Sequence, residues 1–104
     1  VANEVIASLE FAAGDSDGTD GATVAAGIHA IAEGTFSASA NATKLVFTTG
    51  VSETAASSAT AKMTLASDGD LTVAGTVTAD PTAVLLIKNS AGSTLKTING
   101  IAAN

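Results

Sequence analysis

Residues 41–75 read NATKLVFTTGVSETAASSATAKMTLASDGDLTVAG. Across residues 44–49, Leu45 and Phe47 fall on one side, with Lys44, Val46 and Thr48 on the other, which is the period-2 pattern of a half-buried strand. Residues 52–61 are low in complexity. Their Ala content would support one helical turn, but Ser and Thr compete for backbone hydrogen bonds and favour a mobile loop. Residues 62–66 and 71–77 alternate again on either side of Ser67-Asp68-Gly69-Asp70. Asp-Gly between two alternating runs is a strong hairpin signal, because both residues accept positive φ at low cost. The stretch predicts strand, loop, strand, turn, strand. It contains no nucleophile–base pair, metal cluster or phosphate cradle, and it suits a structural or adhesive protein.

The same periodicity extends in both directions. Upstream, Val5, Ala7, Leu9 and Phe11 share one parity while Glu4, Ser8 and Glu10 hold the other, giving a first strand. Residues 14–21, GDSDGTDG, form a loop of residues that tolerate turn conformations. In residues 23–32, Val24, Ala26, Ile28, Ala30 and Ala32 share a parity expected to be buried. Ala makes a helix the competing reading there, and Gly27 with its β-branched neighbours favours a strand. Residues 34–41 are a small-residue loop. Downstream, Pro81 marks a boundary, residues 84–89 and 94–98 read as strands, and Gly92 centres the turn between them. Short strands with turn clusters and no long helical period give an all-β fold of antiparallel strands in a meander.

Composition limits what this scaffold can do alone. The chain has 104 residues, of which 24 are Leu, Ile, Val or Phe and 23 are Ala, with no Trp, Tyr, Arg or Cys. A chain of this size buries only about 60–65% of the surface that its unfolded form exposes. Ala adds little to that burial at about 0.8 kcal/mol per methylene, and no disulfide can staple the fold. Small scaffolds without staples commonly rely on oligomerisation, so the chain is expected to bury apolar surface against copies of itself. A net charge of −6 argues against nucleic-acid binding, which needs a basic footprint. The apolar runs are far shorter than the roughly 20 residues of a membrane span. The chain opens at Val1 with no basic-then-apolar leader pattern, so it reads as processed or as a piece of a longer protein.

Candidate sites are sparse. Asp15, Asp17 and Asp20 are the one carboxylate cluster, and oxygen ligands in a Gly-rich loop could hold Ca²⁺. Counted from Asp15, the sixth and twelfth positions are Asp20 and Ala26, where an EF-hand needs Gly and Glu. A solvated acidic loop is the plainer reading. His29, the only histidine, lies opposite the parity expected to be buried and near only Glu33 in sequence, so it reads as an exposed or interface residue. A serine nucleophile needs a base and an orienting group, and no GxSxG, GxGxxG or Walker pattern is present. The chain is expected not to be an enzyme and to need no cofactor. Met63 reads as a core side chain and the four lysines as solvated positions.

Several of these segments, taken in order, resemble a known family. They are Leu9-Glu10-Phe11, Ala26-Gly27-Ile28-His29-Ala30, Leu45-Val46-Phe47-Thr48-Thr49, Lys62-Met63-Thr64-Leu65 and Ser67-Asp68-Gly69-Asp70-Leu71-Thr72-Val73. Together they resemble the repeat unit of bacteriophage tail-fibre and virion structural proteins, especially those of marine phages. Units of that family run through I-x-F, A-x-I-x-A and L-x-F-x-T strands, then R-M-x-I leading to S-x-G-N-V-x-I-G. The resemblance spans about residues 3–79. Lys62 stands where Arg is common, and Leu71-Thr72-Val73-Ala74-Gly75 replaces the usual V-x-I-G. Residues 84–89 resemble the opening strand of a following unit, and the segment after them does not continue the pattern.

The resemblance implies a fibre repeat at residues 1–79 and a C-terminal strand pair at 80–104 that begins another unit, caps the fibre or docks. It implies a homotrimer with interwound strands, small side chains letting the chains approach closely, and a place on the virion surface as shaft or appendage in host attachment. Partners would be copies of the chain, other virion proteins and a host surface glycan. Two other classes fit the residues. One is a bacterial or archaeal cell-surface filament that assembles by strand donation, with residues 1–11 or 80–104 donated. The other is a calcium-dependent carbohydrate-binding module built on Asp15, Asp17 and Asp20.

Overall fold

A computed structural model describes residues 1–12, 14, 23–51, 54–78 and 84–99. Among them there is no helix. Seven strands occur: β1 (Val5–Ala12), β2 (Val24–Ala32), β3 (Thr43–Thr49), β4 (Met63–Leu65), β5 (Leu71–Val73), β6 (Val84–Lys88) and β7 (Thr94–Asn99). The first five form one antiparallel sheet in chain order, and β6 pairs with β7 in a separate two-stranded sheet. The all-β meander expected from the alternating pattern is the observed fold. Val24–Ala32 is strand where Ala allowed a helix, because β2 pairs on both sides, with β1 and with β3.

Register fixes which side chains share a face. One face carries the row Leu9, Ile28, Phe47, Met63, Val73 across all five strands, beside the row Ala7, Ala30, Leu45, Leu65, Leu71. A shorter third row holds Phe11, Ala26 and Thr49. The opposite face carries Ser8, His29, Val46, Thr64 and Thr72, and beside them Glu10, Gly27 and Thr48. The ladder shifts between Val5 and Ala7, where Val5 pairs with Ile31 and Ala7 with Ala30. Val5 therefore does not continue the Ala7, Leu9, Phe11 parity.

The β4–β5 hairpin follows the Asp-Gly signal, with only one of the two residues at positive φ. Gly69 has φ of +94°, and its N–H donates to the Ala66 carbonyl at 2.9 Å. Ala66 N–H closes the loop on the Asp70 carbonyl at 2.9 Å, and Asp68 Oδ1 accepts Asp70 N–H at 3.0 Å. This is a turn followed by a left-handed glycine, a common three-residue hairpin design. The β6–β7 hairpin repeats it, with Gly92 at φ +87°, its N–H on the Asn89 carbonyl and Asn89 N–H on the Ser93 carbonyl. Strand β5 stops at Val73, short of the expected 77, because β4 is only three residues long and Lys62 gives its last pairing, to Ala74 N–H.

The sheet is a single layer. Its buried apolar residues among those described are Ile31, Ala32, Val46 and Ala55, too few to stabilise a domain of ordinary size. The smallest principal dimension is 17 Å and the Cα radius of gyration is 18.1 Å, against about 13 Å for a compact chain of this length. The accessible surface is 7235 Å², where a compact monomer of this mass would expose about 5,200 Å².

Candidate functional site

The two faces of the sheet differ in what closes them. On the face carrying Ser8 and Thr48, the loop after β3 folds back over the strands. Ala55 N–H donates to the Val24 carbonyl at 2.8 Å, and Ala55 is wholly buried. Residues 54–61 form a loop, as expected of the stretch 52–61, and Ala55 anchors it on the sheet. Its Ser and Thr content matters less than the one small side chain that fits against β2.

Beneath this loop lies a polar network. His29 and Thr48 are wholly buried. Ser8 Oγ is 2.7 Å from His29 Nδ1, His29 Nε2 is 3.0 Å from Thr48 Oγ1, and the Thr48 hydroxyl donates to the Ala55 carbonyl. Thr48 has one hydroxyl proton and gives it to a carbonyl, so its oxygen must accept from His29 Nε2–H. Nε2 therefore carries a proton, and Nδ1 is paired with the Ser8 hydroxyl. No buried side-chain polar atom among the described residues lacks a partner. Gly27 makes the arrangement possible. It lies opposite Thr48 in the ladder, and the His29 ring leans across it. A Cβ at Gly27 would sit 2.5 Å from Nε2 and 2.7 Å from Cε1, closer than carbon atoms can approach.

This overturns the reading of His29 as exposed. On the even parity of β2, expected to be buried, Val24, Ala26, Ile28 and Ala30 are half-buried and only Ala32 is buried, while Gly27, His29 and Ile31 on the odd parity are all buried. Met63 is likewise only half-buried, on the open face. Lys62 Nζ donates to the Thr49 carbonyl at 2.8 Å in an exposed bond, so this lysine also links the start of β4 to the end of β3.

Ser8 and His29 stand at the distance of a nucleophile and its base, which sequence spacing did not reveal. The third group is a neutral hydroxyl that donates away from the ring. It supplies no negative charge to stabilise an imidazolium, the role a carboxylate takes in a catalytic triad. The network's physical effect is to tie β1, β2, β3 and the loop together. The sequence signal was available: a glycine two residues before a histidine, with hydroxyl residues on matching parities of the flanking strands.

The other face is open. Leu9, Phe11 and Leu71 are 56%, 51% and 62% exposed, and Leu45 and Leu65 are exposed too. Its three rows contain no charged residue, and Thr49 is their one polar member. Exposed contiguous apolar surface of this kind marks an interaction site. Asp15, Asp17 and Asp20 lie outside the described residues, among which no group of three or more His, Asp or Glu is placed to hold a metal ion. No helix among the described residues is long and apolar enough to cross a membrane. No protein-family model, curated protein or solved structure matches the chain.

Proposed function

We propose that this chain is a self-assembling structural subunit of a bacteriophage fibre, a segment of shaft or appendage that supports host attachment at the virion surface. The observation that carries the reading is the contrast between the two faces. One buries His29, Val46 and Thr48 around a satisfied polar network, and the other is open, apolar and uncharged. A single-layer sheet must bury its apolar face against something. The order of segments resembling a fibre repeat makes copies of the same chain the natural partner, and three copies about an axis are the arrangement that resemblance implies. Light scattering of the purified chain tests this: a trimer mass is expected, and a folded monomer at micromolar and higher concentration overturns it.

A second reading draws on a different observation. Strand β1 is an eight-residue edge strand, exposed along its whole length, with no proline. Such an edge can accept a strand from another subunit, as in a cell-surface filament that grows by strand donation. Electron microscopy separates the two, since donation yields open polymers of variable length.

A further inference from the structure

We infer that copies of this chain pack through the open apolar face, with Leu45, Leu65 and Leu71 of one copy seated over the hollow formed by Ala7 and Ala30 of the next. The inference rests on the self-assembly reading above and assigns its surface. Registry places Ala7 and Ala30, on β1 and β2, in one row with Leu45, Leu65 and Leu71 on β3, β4 and β5. That row runs from two small side chains to three large ones, with Leu9 and Ile28 in the next row beside the alanines. Ridge and hollow on one surface are the requirement for head-to-tail contact, which closes into a ring when the rotation permits.

Two further arguments select a second copy as occupant. Each chain carries a net charge of −6, so copies repel wherever carboxylates meet. The rows of the open face hold no charge, whereas Glu10 and Lys44 lie on the opposite face and Glu33, Asp68 and Asp70 lie beyond strand ends. The open face is therefore the surface on which like-charged copies can approach. Size agrees as well. Five strands about 4.8 Å apart, averaging about six residues at about 3.3 Å each, present about 500 Å². In head-to-tail packing each face is shared between two neighbours, so a closed ring of three buries about 1,500 Å² across its three contacts, comparable in total with a standard specific interface. The β6–β7 hairpin of the same chain forms its own sheet and adds no strand to the larger one.

The test uses the full chain. Leu65→Asp places a charge on the ridge, and Thr72→Asp places one on the opposite face as a control. The expected result is a multimer for wild type and for Thr72→Asp, and loss of the multimer for Leu65→Asp. A second measurement does not depend on that variant folding. The chain has no cysteine, and Ala7 and Leu65 stand three strands apart in one row, about 14 Å, too far for a disulfide within one chain. Oxidation of the Ala7→Cys, Leu65→Cys double variant should give covalent dimers and higher species on a non-reducing gel. Absence of such species, or an intact Leu65→Asp multimer, overturns the assigned face while leaving self-assembly standing. A monomeric wild type removes the self-assembly reading and the assigned face together.

Discussion

Gly27, His29 and Thr48 carry the most specific constraint in the molecule. Gly27→Ala would drive a methyl into an imidazole held at both nitrogens, and overpacking of this kind costs about 1–3 kcal/mol. Chemical denaturation should show that loss. Thr48→Val keeps the shape but removes the acceptor of His29 Nε2–H and the donor to Ala55. A buried donor left without a partner costs about 1–3 kcal/mol, so a similar drop in stability is expected, with the loop at residues 54–61 losing amide-exchange protection first. Alternation located these residues on strands but not on the covered face. Alternation treats both parities alike, and the loop after β3, which meets β2 and Thr48 through Ala55, lies on one of them.

Hairpins were the most legible elements, because Asp-Gly and Ser-Ala-Gly encode their turns locally. The tie between the β4–β5 turn and the end of β2 was not legible, since it joins residues 34 positions apart. Glu33 accepts hydrogen bonds from the Ser67 hydroxyl at 2.6 Å and the Ser67 N–H at 3.0 Å. These bonds, the hydroxyl first, hold its carboxyl below the usual carboxylate range. A depressed folded-state pKa stabilises the native form above the unfolded value, and that contribution is lost as pH falls through the folded value. A carbon-detected NMR titration should place Glu33 below a free glutamate, and Ser67→Ala should move it back upward. An unchanged titration in the variant would remove Ser67 as the cause.

At the scale of the whole molecule, composition foretold the shortage of core. Twenty-three alanines and no staple correspond to a one-layer sheet with little buried apolar surface. Composition could not say which face stays open, because alternation treats both parities alike. If assembly completes the core, stability must depend on protein concentration. The melting temperature should fall by about 5–10 °C for each hundredfold dilution, and a constant value would count against a coupled oligomer.

The strand order has a consequence in time. Each pairing in the larger sheet joins strands consecutive in the chain, so each strand can add to the one before it without waiting for a later segment. The polar network completes within one chain as well. Refolding should show a fast phase independent of concentration as each subunit forms its sheet, followed by a slower phase that quickens with concentration. Newly made chains would then meet one another already shaped, with the adhesive side presented and the hydrogen-bonded side shut.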